Sequence, residues 1–387
     1  RVRSSAASDV YKRQIINRCF LIVVAASSPD LDSVYRIFSV LNSRGLNLSY
    51  PDILKAEIIN AIPQDKQDIY ADRWENIESS LGTEIFEEVF YNLRTISARA
   101  RSRKGMIEEF REFVYPRLSH PLAPQDFIDK TLEPYARALN NIIKANYQGE
   151  LSREINTMFK WLNYLDHGRW IPPALYYFVL YWRQPKMVLR FLTDLERLVI
   201  RFMLCKVPPY KRLDQYCELL NAIHEDKDLY STNSPLQLTP SECNETLRTL
   251  DGNIYFLHYV CRYVLLRLDI HMTDEPATHD LEKISIEHVL PQRPSAESRW
   301  LKLFPTREIR EKYVHRLGNL VLLSRGRNIA AENYDFDQKK QKYFFMNDQS
   351  SPFVLTNQLR DYSEWTPAAI EQRQTQLVNR LKQLWKL

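Results

Sequence analysis

The sequence predicts a mainly α (α+β) chain, a helical body that carries a small strand–strand–helix module near its C-terminal end. Three observations predict it. Between Gln64 and about Asp269, apolar residues recur at helical spacing in one segment after another. Two short apolar runs, Ile284-Ser285-Ile286-Glu287-His288-Val289-Leu290 and Leu317-Gly318-Asn319-Leu320-Val321-Leu322-Leu323, have the length of strands. The first of them stops at Pro291, which cannot continue a ladder. Glycine is scarce, 8 residues against 22 Tyr, 17 Phe and 7 Trp, which favours aromatic-packed helices over a loop-rich β protein.

Taken in order, Arg1 to Gln14 shows no period and is set aside from the fold. Cys19 to Ala25 is a fully apolar run of strand length, with no visible partner in the residues that follow, so its partners are expected to be missing from the N-terminal side. A helical stripe through Val34, Ile37, Phe38 and Leu41 ends at Asn42-Ser43-Arg44-Gly45, with glycine where a helix end wants positive φ. Ser49-x-x-Asp52 opens the next helix in the manner of a capping box. Trp74, Ile77 and Leu81, then Ile107, Phe110, Phe113 and Val114, then Leu189, Leu192, Leu195, Val199, Phe202 and Met203 each mark one helical face. Prolines at 116, 172–173, 185 and 208–209 separate these elements. Ser231 to Pro240 is the best internal boundary, Ile254 to Ile270 another long helix, and Asp274 to Asp280 a loop before the first strand. A last amphipathic helix begins around Thr366-Pro367, carries Ile370, Leu377, Leu381 and Leu384 on one face, and is expected to pack over the strand module.

Composition narrows the setting. The chain has 387 residues, 44% hydrophobic and 26% charged, ample for two domains with their own cores. Five cysteines without close pairs point to a reduced, cytoplasmic compartment and show no zinc spacing. No apolar run is long enough to span a bilayer. Leu281 to Phe345 holds 13 Lys+Arg against 8 Asp+Glu, a surplus equal to the whole net charge of +5, which suits a polyanionic partner such as DNA.

The residues inside that basic segment suit phosphodiester hydrolysis. A neutral imidazole can take a proton from water near neutral pH, which makes His288 the candidate general base. The Asn319 amide, beside it, is placed to hold the ring in one orientation. Glu287 and Asn328 offer hard oxygen ligands of the kind Mg²⁺ or Mn²⁺ prefers. Neighbours on a strand point to opposite faces, so Glu287 and His288 converge only if the strand bends. Arg325, Arg327, Lys339 and Lys340 would hold backbone phosphates. His315 and Arg316, just before the second strand, receive no role. The remaining histidines, at 120, 167, 224, 258, 271 and 279, read as packing or surface residues.

Strand, strand and helix bearing His288, Asn319 and Asn328 in order resemble a ββα-metal (HNH or His-Me finger) nuclease site. The strings Glu287-His288-Val289-Leu290-Pro291-Gln292 and Leu317-Gly318-Asn319-Leu320 resemble the C-terminal nuclease domain of GmrSD-type, modification-dependent (type IV) restriction endonucleases. The resemblance implies a metal-dependent DNA endonuclease of a bacterial defence system, acting on foreign or modified DNA, with Glu287 as an acidic metal ligand. The earlier stretch around Asn42-Ser43-Arg44-Gly45 resembles the end of that family's ParB-like nucleotide-binding domain, which makes Asn42, Arg44 and Gly45 remnants of a nucleotide site. The family's Asp-Gly-Gln-Gln-Arg run is absent, so nucleoside triphosphate hydrolysis is not expected. The implied domains are 15–62, a ParB-like remnant; 63–235, a helical middle region; and 236–387, the nuclease domain with its site core at 284–345. Self-association or a missing N-terminal partner segment would complete the first of these. The alternative reading is a non-catalytic DNA-binding or regulatory remnant of such a system, and retention of His288, Asn319 and Asn328 together favours the enzyme.

Overall fold

The computed structural model describes residues 49–114, 123–165, 168–273, 284–324, 333–344 and 351–387. The strand expected at Phe20 to Ala25, the loop at Asp274 to Asp280, and Asn42, Arg44, Gly45, Arg325, Arg327 and Asn328 lie outside the described residues. The chain divides into two compact units, Arg1–Ile53 and Leu54–Leu387. Of the first, only 49–53 are described. There the Ser49 hydroxyl accepts the Asp52 amide at 3.4 Å and the Asp52 carboxylate accepts the Ser49 amide at 3.0 Å, the reciprocal cap expected at this helix start.

The second unit is mainly helical, as expected. After α1 (Tyr50–Asn60) come α2 (Gln64–Leu81), α3 (Thr83–Ala98) and α4 (Met106–Phe113). Pro124–Phe127 and a wider π turn, Ile128–Leu132, lead into α5 (Glu133–Lys144). Then follow α6 (Ser152–Leu165), α7 (Ile171–Tyr181), α8 (Pro185–Leu204), α9 (Pro209–His224), α10 (Pro240–Leu250) and α11 (His258–His271), the last entered through the 3₁₀ turn Ile254–Leu257. Prolines stand in the first turn of α7, α8, α9 and α10, where their missing N–H would have had no partner anyway. The stretch before α10 ends in a full capping box that joins Thr239 and Glu242. A run of rings, Trp74, Phe86, Phe90, Phe110 and Phe127, with centroids 5.2–6.1 Å apart, packs the first helices together.

The strand module follows α11. Strand β1 (Ile284–His288) pairs antiparallel with β2 (Leu320–Ser324), so that Ile286 faces Leu322 and His288 faces Leu320. Between them lie α12 (Trp300–Leu303), α13 (Arg307–Val314) and the 3₁₀ turn Leu317–Asn319. Helix α14 (Phe336–Phe344) completes the expected strand–strand–helix order. Then come α15 (Val354–Asn357) and α16 (Pro367–Trp385), which starts at a Thr366 cap on the Ala369 amide.

The hairpin is buried on both faces. Ile284, Leu320 and Leu322 join the core of the helical body. Val321 and Leu323 join a second core with Val289, Leu290, Trp300, Phe336, Tyr343 and Trp365. Period-two alternation therefore decides which core each side chain enters.

Helix α16 fastens the head of β2. The fully buried Arg373 donates to the carbonyls of Gly318 at 2.8 Å, Leu320 at 2.9 Å and Leu355 at 3.2 Å, and burial pushes its pKa down to about 10. The Gln374 side-chain oxygen accepts the Gly318 amide at 2.6 Å. The backbones meet so closely that a Cβ on Gly318 would lie 2.5 Å from the Ile370 carbonyl oxygen. Gly318→Ala is therefore expected to destabilise the fold by about 1–3 kcal/mol. Urea unfolding with the slope unchanged and the midpoint lowered would show it, and an unchanged midpoint would contradict the close approach.

Candidate active site

Strand β1 delivers Glu287 and His288 to opposite sides, and no bend brings them together. Glu287 enters the second core, where its Oε1 accepts from the Lys339 ammonium at 2.6 Å and the Tyr343 hydroxyl at 2.9 Å. Lys339 also donates to the His288 carbonyl at 2.7 Å. Lys339 is 1% exposed and Glu287 7%. Burial acts on both charges, raising the Glu287 pKa and lowering that of Lys339, while their mutual attraction opposes each shift.

This geometry corrects two of the roles expected from the sequence. Lys339 does not face solvent and offers no charge to a DNA phosphate. Glu287 has committed an oxygen to Lys339 and Tyr343 and points away from His288, so as placed it is an internal counter-ion instead of an open metal ligand. Lys340 is also engaged, donating to the Tyr362 carbonyl at 2.8 Å with its ammonium 5.1 Å from the centre of the Phe336 ring. Among the described residues no group of three or more His, Cys, Asp or Glu could hold a metal ion.

His288 enters the helical-body side and is 6% exposed. The Tyr255 ring stands edge-on to it at 4.2 Å, and the His315 ring lies 5.4 Å away, itself stacked on Tyr255 at 5.3 Å. Its Nδ1 is 3.3 Å from the Gln292 amide nitrogen, and its buried Nε2 has no hydrogen-bond partner among the described residues. If Gln292 presents its amide oxygen instead, Nδ1 carries the proton and Nε2 keeps a lone pair; with the nitrogen presented the tautomer reverses. Burial pushes the pKa down to about 3, and the charges of His315 and Lys339 act in the same direction. The ring is therefore neutral near pH 7. Because the folded value lies below the ordinary one near 6.5, the stability His288 contributes is present above pH 6.5 and is lost as pH falls towards 3.

Asn319 does not touch the His288 ring. It is fully buried and its amide is saturated, donating to the carbonyls of Leu290 at 3.0 Å and Val314 at 2.9 Å and accepting from the Leu290 amide at 2.8 Å and the Trp365 indole at 3.0 Å. It acts on His288 through the backbone, by fixing the chain as it leaves β1.

Sequence reasoning missed Tyr255, His315, Tyr343 and Trp365. Tyr255 sits in a helical stripe where nothing marks it, and His315 was left without a role. The Asn319 bond to the Val314 carbonyl folds the chain so that His315 falls beside His288.

A buried neutral histidine at the end of one strand, an asparagine locking the head of its partner and a following helix define a strand–strand–helix site module. Residues 243–380 match the family model of GmrSD restriction endonucleases, C-terminal domain. The chain thus carries a GmrSD-type restriction endonuclease C-terminal region, a domain that implies nuclease activity with DNA as substrate. No curated protein matches the chain. No described helix is long and apolar enough to cross a membrane.

The ion pair generates a prediction. Lys339→Met should leave the Glu287 carboxylate without its counter-ion, at a cost of about 3–5 kcal/mol. Adding Glu287→Gln should restore much of that loss, read as the coupling in a double-mutant cycle of unfolding free energies. Simple additivity would show that the two side chains do not meet.

Proposed function

We propose that this chain is a metal-dependent DNA endonuclease of a bacterial defence system, of the type IV restriction kind, that hydrolyses phosphodiester bonds of foreign or modified DNA in the cytoplasm with His288 as general base. The observation that carries this reading is the state of His288: a neutral, buried imidazole whose Nε2 has no partner among the described residues, at the end of the strand in a restriction-endonuclease domain. A neutral imidazole is the form that can accept a proton from water. Its low pKa belongs to the ring without substrate; a phosphodiester anion arriving beside it favours the imidazolium and raises that value towards the working range.

Asn319 is a positioning residue in this reading, since the hydrogen bonds of its side chain go to Leu290, Val314 and Trp365. A divalent ion, Mg²⁺ or Mn²⁺, would neutralise charge growing on the phosphoryl oxygens. Of the two ligands expected for it, Glu287 does not fit, and Asn328 is the remaining candidate. Arg325 and Arg327 are the remaining candidates for phosphate contacts. The divisions at 15–62, 63–235 and 236–387 belong to the same proposal, with Asn42, Arg44 and Gly45 as remnants of a nucleotide site.

One observation favours the second reading, a DNA-binding remnant without catalysis. The His288 Nε2 is shielded from solvent, so a substrate reaches it only if the aromatic cover around Tyr255 moves. Plasmid nicking with Mn²⁺, with and without chelator, separates the two. His288→Ala should cut about 10²–10⁴-fold more slowly while binding DNA with nearly unchanged affinity. Equal cutting by parent and variant contradicts the role of His288. Binding without cutting by the parent itself supports the remnant.

A further inference from the structure

The chain that leaves β1 is pinned before it turns back on the residue that ends the strand. Asn319 holds Leu290 by both its amide and its carbonyl, and the Val289 amide donates to the Asn319 carbonyl at 3.0 Å. The buried Pro291 follows, with its φ fixed by the pyrrolidine ring. Four residues after His288, Gln292 arrives beside the imidazole, its side-chain amide 3.3 Å from Nδ1. Gln292 itself is exposed. Around the imidazole, Tyr255 stands edge-on at 4.2 Å and His315 at 5.4 Å, both as contacts between rings. Among the described residues, the hydrogen-bond partner of the His288 nitrogens is the Gln292 amide.

We propose that Gln292 is the positioning residue that sets the tautomer of His288: its side-chain oxygen accepts the Nδ1 proton, so that Nε2 keeps the lone pair. The part this plays in cutting rests on the nuclease reading, in which Nε2 takes the proton of water. The flipped amide fills the same space, so the choice between the two falls to their hydrogen bonds. With the amide nitrogen towards the ring, the imidazole proton would sit on Nε2, a buried donor with no acceptor among the described residues. An orphaned buried N–H is rarer than an unfilled acceptor. With the oxygen towards the ring, the Gln292 NH₂ group turns outward on an exposed residue, where water can satisfy its donors. A neutral carboxamide also orients the ring without adding charge, unlike a carboxylate, which would favour the imidazolium. Asn319, the residue expected to orient the ring, thus acts one step removed: it fixes the turn, and the turn places Gln292.

The test uses the full chain, with nitrogen-15 spectra of the histidine side chains at neutral to basic pH and His288→Ala to assign the signal. The parent should show His288 protonated at Nδ1 and bare at Nε2. Gln292→Met, close in size and without an acceptor oxygen, should lose that preference, with the urea midpoint unchanged because the position is exposed. Gln292→Glu keeps an acceptor and should hold the Nδ1–H form while raising the pH at which His288 protonates. Plasmid nicking with Mn²⁺ at saturating DNA reads the consequence. Gln292→Met should cut about 10–100-fold more slowly, the scale on which losing a histidine's orienting partner acts. Gln292→Glu should recover most of that loss and move the acid limb of the pH–rate profile to higher pH, which a side chain that only packs would not do. A proton on Nε2 in the parent, or a tautomer untouched by Gln292→Met, overturns the assignment, and a parent that still cuts leaves the nuclease reading standing without it. Where the parent cuts, equal cutting by Gln292→Met would also overturn it. A parent that never cuts, yet loses the Nδ1–H form in Gln292→Met, refutes the nuclease and supports the positioning role.

Discussion

A two-stranded hairpin buried on both faces leaves almost no side chain free to choose its surroundings. Each step along β1 or β2 crosses from the helical-body core to the second core, and the pairing of Ile286 with Leu322 fixes the register. A slip of one residue would put the Glu287 carboxylate against the helical body and the His288 ring against Lys339, each away from the surroundings that tolerate it. The register is held by more than the ladder. Asn319 ties the exit of β1 to the head of β2, and Arg373 and Gln374 bind the turn between α13 and β2 from outside. The state of His288 follows from these constraints.

The same constraint separates two kinds of buried polar group. On the second-core side the charges are compensated locally: Glu287, Lys339 and Tyr343 satisfy one another, and Lys339 reaches the backbone of the very residue whose ring points the other way. A second buried group works likewise in the body, where Glu196 accepts from Arg267 at 2.6 Å and from the Trp385 indole at 3.2 Å and ties α8 and α11 to the last helix. On the helical-body side of the hairpin, His288 and His315 each keep a buried ring nitrogen without a hydrogen-bond partner among the described residues. The role proposed for His288 rests on this side of the hairpin.

Much of this was legible in the sequence, for reasons that differ by residue. The last helix could be read from Thr366-Pro367 and its apolar stripe because caps and period are local. The two strands could be read because their apolar runs are short and bounded. The position of Asn319 was legible but its partners were not, since Trp365 joins it only through the tertiary fold. Lys339 was misread because a lysine beside Lys340 on a polar helix looks like a solvated charge. Its partner Glu287 lies 52 residues earlier, and nothing local announces the pair. Tyr255 and His315 escaped for the same reason: they meet His288 through packing of elements distant in sequence, which no spacing rule records.

The central claim is that the fold holds His288 as a buried, neutral imidazole. Nitrogen-15 NMR of the histidine side chains across a pH series tests it directly, with His288→Ala supplying the assignment. The account predicts a neutral ring from pH 8 down to about pH 5, well below the range in which an ordinary histidine protonates. Protonation of His288 with a midpoint near 6.5, the value of a solvated imidazole, would contradict it.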